Sequence, residues 1–186
     1  MNGNVKIAAK RSVWYEPGRC WGCGNCVARC AELESHQGKP ACSIVMVGAL
    51  PTPMRCMHCT DARCMAICPV KAIKQQGEAV VIEANRCMGC GLCALACPFG
   101  VVSFDERTRK PLKCDLCIDK VENGEIPVCV LACPNKSLQF IDINDLMAKY
   151  QEKAACVPKY LATGSLDALV NALYTISPTD VSKYDL

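Results

Sequence analysis

The chain has 186 residues, a formal charge of +3 and eighteen cysteines, close to a tenth of its composition. That cysteine level suggests a disulfide scaffold, but the N-terminal "MNGNVKIAAKRSVWYEPGRC" has no apolar signal core, small-residue cleavage site or twin arginine, so a reduced cytoplasmic setting is expected. No apolar run approaches the roughly 18–20 residues that cross a bilayer, which excludes a transmembrane helix.

The length suits one compact domain or two very small ones. Only three Phe and two Trp are available for a core, so metal–ligand bonds are expected to hold the fold together.

In chain order, the first cysteine group is "CWGCGNCVARC", with Cys20, Cys23, Cys26 and Cys30. Next comes "CSIVMVGAL", Cys42 to Leu50, which reads as a buried strand or linker ending at Pro51. The second group, "CMHCTDARCMAICP", carries Cys56, Cys59, Cys64 and Cys68. "VKAIKQ" and "EAVVIEA" then flank "QG" like a hairpin. The third group, "CMGCGLCALACP", carries Cys87, Cys90, Cys93 and Cys97, and "GVVSFD" after it reads as a short strand. "ERTRKPLK" (106–113) reads as a solvated basic loop, with docking of an acidic redox partner as the alternative. The fourth group, "CDLCIDKVENGEIPVCVLACP", carries Cys114, Cys117, Cys129 and Cys133, and a strand is expected in "KSLQFID". Beyond it, "DINDLMAKYQEKAAC" with a capping aspartate and "SLDALVNALYTI" with Ser165 as N-cap read as helices.

The four groups form an internal repeat. Groups one and three have C-x2-C-x2-C-x3-C spacing; groups two and four stretch the middle gap but keep the closing C-x3-C. Such loops suit 4Fe-4S clusters. Three closely spaced thiolates wrap one cube, and the fourth thiol, expected where a helix begins, completes a cluster held by a partner group. Gly22, Gly24, Gly89 and Gly91 let the backbone curl, and proline after the fourth cysteine fixes φ in a crowded turn. Zinc is the rival, but all-cysteine zinc sites separate two pairs by a longer loop and do not ask for a third cysteine two residues on. With four oxidised clusters the formal charge would fall to roughly −5, so the apparent basicity is no argument for nucleic-acid binding.

On these sixteen cysteines, the chain resembles the four-cluster ferredoxin-type electron-transfer subunits over residues 20 to about 140. These include the B subunits of dimethyl sulfoxide reductase and formate dehydrogenase. Small iron–sulfur proteins accompanying nickel carbon monoxide dehydrogenase, tungsten aldehyde oxidoreductase and some hydrogenases also belong among them. The resemblance implies an α+β fold of two bacterial-ferredoxin-like two-cluster modules, nested in sequence, with a helical C-terminal tail. An inner module would span about 50–105, an outer one about 1–49 with 106–140, and the extension 141–186. The implied ligand sets are Cys20, Cys23, Cys26 with Cys133; Cys30 with Cys114, Cys117, Cys129; Cys56, Cys59, Cys64 with Cys97; and Cys68 with Cys87, Cys90, Cys93. Ala31 stands where the other groups have proline.

The implied function is a relay of single electrons between a catalytic oxidoreductase subunit, of the carbon monoxide dehydrogenase or aldehyde oxidoreductase kind, and a second redox protein. A freestanding polyferredoxin and a structural subunit with non-redox clusters are the alternatives. No nucleophile triad, P-loop or paired carboxylates suggest catalysis, and only His36 and His58 are present as histidines. Cys42 and Cys156 read as small buried apolar residues, and His58 as packed or solvent-facing. Trp21 either shields a cluster or shapes a partner contact. Gly89-x-Gly91 lacks the preceding strand of a dinucleotide fingerprint. The tail either packs on the cluster domain or clasps a catalytic subunit or a second copy.

Overall fold

The computed structural model describes residues 10–33, 36, 38–105 and 108–151. The chain divides into one compact unit at Lys10–Ile141 and another formed by Met1–Ala9 with Asp142–Leu186. All four cysteine groups lie in the first.

Its strands form two-stranded sheets. Strand β1 (Arg11–Tyr15) pairs with β8 (Leu138–Asp142), joining the two ends of the unit. The others are antiparallel hairpins: β2 (Ser43–Val47) with β3 (Leu50–Met54), β4 (Ile73–Gln76) with β5 (Ala79–Ile82), and β6 (Ser103–Asp105) with β7 (Lys110–Leu112). Among the described residues a 3-10 turn at Pro17–Arg19 and five short α-helices complete it: α1 (Asn25–Ala31), α2 (Arg63–Ala66), α3 (Leu92–Ala96), α4 (Ile118–Glu122) and α5 (Val128–Leu131).

The hairpin around "QG" forms as expected, with Ile73 opposite Ile82 and Gln76 opposite Ala79. Its β5 strand separates two cores. Ala79 and Val81 pack with Val13, Leu116, Ile118, Val121, Leu138 and Phe140, whereas Val80 packs with Ala62, Ile73 and Val102. Alternate residues of a strand face opposite ways, so a strand buried on both faces must be apolar at every position. The first core also holds Cys26, with Cys129 and Cys133 against it; the second holds Cys93, with Cys59, Cys64, Cys68 and Cys97 against it. Helix α1 packs on α5, and α2 on α3.

Three expectations need correction. The strand within "CSIVMVGAL" forms but is not buried: Met46 and Val47, which point to opposite faces, are both exposed, so its turn end is packed on neither side. Within "ERTRKPLK", Lys110–Leu112 is a strand rather than loop, with Pro111 tolerated because a two-stranded sheet has only edges. The fourth cysteine of each group sits at the end of a short helix, not its beginning. Cys26, Cys64, Cys93 and Cys129 open or enter the helices, and Cys30, Cys68, Cys97 and Cys133 follow one turn later.

The reason lies in the spacing. C-x3-C is about one helical turn, and Pro69, Pro98 and Pro134 cannot continue the helix. Ala31 can, and α1 accordingly extends past Cys30 to seven residues while α2, α3 and α5 have four or five. After each proline the chain closes a left-handed turn: the N–H groups of Lys71, Gly100 and Lys136 donate to the carbonyls of Cys68, Cys97 and Cys133 at 3.2, 3.3 and 3.2 Å.

In the other unit, residues 143–151 are helical, and the Asp142 carboxylate accepts the Asn144 N–H at 2.7 Å, the capping role read from sequence. Ser165, the second tail helix and Cys156 lie outside the described residues.

Candidate metal centres

The cysteine loops share a backbone device. The residue two positions after the first cysteine is left-handed in all four groups: Gly22 (φ 80°), His58 (46°), Gly89 (72°) and Leu116 (65°). At two of these residues the N–H points at the first thiol. The N–H of His58 donates to Cys56 Sγ and that of Leu116 to Cys114 Sγ, both at 3.4 Å. At the fourth cysteine, Ala72 N–H reaches Cys68 Sγ at 3.2 Å and Ser137 N–H reaches Cys133 Sγ at 3.3 Å. Donors aimed at sulfur stabilise thiolate and raise the potential of a bound cluster.

Two cavities are each lined by thiols from two different groups. One, about 320 Å³ including its mouth, is lined by Cys20, Cys23, Cys26 and Cys133, together with Trp21, Ile44 and Leu138. The other, about 340 Å³, is lined by Cys68, Cys87, Cys90 and Cys93, with Ile73, Ile82 and Pro111. The remaining eight cysteines gather beside them. Cys64 has Cys56 and Cys97 among its titratable neighbours, while Cys129 has Cys117 and Cys30. Cys59 packs on the same core as Cys64 and Cys97, and Cys114 neighbours Cys129 and also Cys56.

Burial opposes free thiolates at most of these positions. It pushes Cys129 up to about 12 and Cys117 up to about 11, and raises Cys26, Cys64, Cys93 and Cys114. At Cys133 burial acts the same way but is outweighed by the Ser137 hydroxyl and backbone N–H groups, leaving the thiol lowered. Such thiols ionise together only around positive charge, which iron supplies. Among the described residues no three His, Cys, Asp or Glu are gathered tightly enough to grip one metal ion. Four thiols lining one cavity are the donor set that a 4Fe-4S cube takes, one thiolate per iron.

Positive side chains are buried among these thiols. Lys113 and Arg55 are 7% and 5% exposed. Lys113 therefore does not belong to the solvated run in which the sequence placed it. Its ammonium donates to the Val80 and Cys114 carbonyls and lies 3.5 Å from Cys56 Sγ. None of the ion pairs among the described residues includes either cation. Burying a charge without a carboxylate is costly, and anionic sulfur beside both would offset that cost.

His58 is packed, at 2% exposure. Its Nδ1 accepts the Val80 N–H at 2.9 Å, which makes Nε2 the protonated nitrogen; that atom is buried without a partner among the described residues. Burial, with Lys113, Lys10 and Arg55 nearby, holds its pKa down at about 3, so the ring is neutral. Val80 thus spends its outward N–H on His58 and its carbonyl on Lys113, satisfying the open edge of β5.

Cys42 is only half-buried, and its thiol faces the Cys26 carbonyl at 3.6 Å. The Cys30 thiol is lowered to about 5 by Cys42 first and, against burial, by His36, whose Nδ1 stands 3.3 Å from its sulfur. Neither His36 nor the two buried cations was singled out from the sequence. A signal existed, because a basic residue precedes the first cysteine of every group: Arg19, Arg55, Arg86 and Lys113. Trp21 is 68% exposed at the mouth of its cavity, so it shields little and presents its ring outward.

Residues 47–143, which include groups two to four, match the family described as the 4Fe-4S dicluster domain. The chain is 31% identical over 199 residues to Hydrogenase-4 component A of Escherichia coli (strain K12), covering 86% of this chain and 96% of that protein. It is 38% identical over 135 residues to an uncharacterized ferredoxin of Methanocaldococcus jannaschii, with 73% and 75% covered. Against the B subunit of the anaerobic dimethyl sulfoxide reductase of Haemophilus influenzae it is 28% identical over 164 residues, with 78% and 80% covered. The chain belongs to the 4Fe-4S dicluster domain family, as a ferredoxin-type iron–sulfur subunit that carries electrons rather than transforming a substrate.

Proposed function

We propose that this subunit holds four 4Fe-4S clusters in two nested modules and relays single electrons between a catalytic oxidoreductase subunit and a second redox protein. The inner module uses Cys56, Cys59, Cys64 with Cys97, and Cys68 with Cys87, Cys90, Cys93. The outer module uses Cys20, Cys23, Cys26 with Cys133, and Cys30 with Cys114, Cys117, Cys129. The observation that carries the reading is that one cavity takes three thiols from group one and the last from group four, while the other takes the last of group two and three of group three.

Each cluster, when bound, accepts and gives up one electron. The protein's residues do the rest. The backbone N–H groups at His58, Leu116, Ala72 and Ser137 stabilise the sulfur charge. The two apolar cores exclude water from the inner faces of the thiol sets. The named relatives, a hydrogenase component and a reductase subunit, support a catalytic partner of oxidoreductase type; carbon monoxide dehydrogenase or aldehyde oxidoreductase is the partner we favour. A reducing cytoplasmic compartment suits sixteen unpaired ligand thiols.

The test is anaerobic purification followed by iron and acid-labile sulfide assay and EPR-monitored potentiometric titration. Sixteen irons with matching sulfide and four one-electron reductions are expected. About four metal ions without sulfide, or clusters that never reduce at biological potentials, would refute the relay.

A further inference from the structure

A basic residue precedes the first cysteine of all four groups, but the four have different fates. Arg86 is exposed and pairs with Glu83, and Arg19 is half-exposed. Arg55 and Lys113, in groups two and four, are buried with no carboxylate partner among the described residues. Their side chains also cross. Lys113 adjoins Cys114 of the outer set, yet its ammonium lies 3.5 Å from Cys56 Sγ of the inner set and has Cys64 as a further neighbour. Arg55 adjoins Cys56, yet the thiols it interacts with most strongly are Cys129 and Cys114 of the outer set, followed by Cys42 and Cys26. Both cations flank the neutral His58, and Cys56 and Cys114 are themselves neighbours. The crossing therefore lies where the two thiol sets meet.

We propose that Lys113 and Arg55 are a crossed pair of positioning charges for electron transfer between the modules: Lys113 raises the reduction potential of the cluster on Cys56, Cys59, Cys64 and Cys97, and Arg55 that of the cluster on Cys30, Cys114, Cys117 and Cys129. The proposal rests on the four-cluster reading above. Reduction adds one electron to a cluster without changing its ligands, so a fixed positive charge nearby favours the reduced form. The cation neither gains nor loses an electron. At the junction the paired effect keeps the two central potentials together, because raising one alone would make the intermodule hop uphill in one direction. Each cation is delivered by the opposite module, so this tuning exists only when both modules are folded together.

The experiment is EPR-monitored potentiometry of the full chain carrying Lys113→Met or Arg55→Met, with Arg86→Met as the exposed control and Lys113→Arg and Arg55→Lys as charge-retaining partners. Each neutral variant is expected to disfavour reduction of one central cluster at least tenfold, a fall of about 59 mV for a one-electron couple, and the two variants are to move different clusters. Charge-retaining variants and Arg86→Met should leave the potentials within a few-fold of the parent. Iron and sulfide content keeps the two ideas apart. A parent without sixteen irons fails the four-cluster reading; a variant with full iron and unmoved potentials fails the crossed-cation proposal. Shifts of one and the same cluster in both variants would also overturn it. Either variant suffices if the other loses its clusters, and loss in both would overturn the proposal by making the cations structural.

Discussion

Gly89 has no room for a side chain. A Cβ there would stand 2.4 Å from the Arg109 carbonyl oxygen, on backbone already at φ +72° and on the wall of the cavity lined by Cys87, Cys90 and Cys93. Gly89→Ala therefore meets both a left-handed penalty and a backbone clash, and should lower stability by roughly 2–4 kcal/mol. Gly124 separates the two effects: its φ is +81°, but nothing lies within 4 Å of a Cβ built there. Gly124→Ala should cost only about 1 kcal/mol. Anaerobic guanidinium denaturation of the two variants reads the difference; equal midpoints would show that the Arg109 carbonyl yields freely. The sequence reading named Gly89 for the curl of its loop but could not show the carbonyl that crowds it. It also assigned the inward curl to glycine alone, whereas His58 and Leu116 adopt the same conformation in groups two and four. Non-glycine residues there must be held by their surroundings. His58 is clamped through Nδ1 to Val80, and Leu116 is buried in the first core.

At the scale of elements, the cysteine spacing was the most legible feature, because ligand geometry constrains it directly. The period of C-x3-C and the following proline mark a one-turn helix that ends at the fourth cysteine, although the sequence reading had it begin there, and Ala31 lengthens one. The hairpin Ile73–Ile82 was equally readable, since its turn residues and apolar run are local. What could not be read was non-local. That β5 divides two cores, that "KPL" pairs with "SFD", and that Lys113 turns inward all depend on contacts between residues far apart in the chain. The packing of α1 on α5 and of α2 on α3 makes a direct test of the nested ligand sets. Cys133→Ser should abolish or convert the same EPR signal as Cys20→Ser, although the two residues lie in different groups. Cys114→Ser, in the same group as Cys133, should affect another signal. Each variant should lose at most four of sixteen irons. If Cys133→Ser and Cys114→Ser altered one common signal, each group would be binding its own cluster and the nesting would be wrong.

For the whole molecule, charge is the property the clusters change most. The bare chain carries a formal +3 and a pI of about 8.1, with 21 Lys and Arg against 18 Asp and Glu. Each oxidised 4Fe-4S cluster with its four thiolates contributes about −2, so a chain with four would stand near −5 at neutral pH. The sign of the field that a partner meets is thus set by the metal content rather than by the side chains. On the four-cluster proposal, Arg55 and Lys113 can be buried without carboxylates because their counter-charge would arrive with the clusters. Isoelectric focusing under anaerobic conditions should place the loaded protein below pH 7 and the cluster-free chain near 8. Partial loading should give a ladder of discrete bands, since each cluster changes the charge by a whole step. The same reversal predicts that the loaded protein binds an anion exchanger at pH 7.5 and that the cluster-free chain does not. If both forms focused together near pH 8, the thiols would be holding no net negative group, and the buried cations would need another partner.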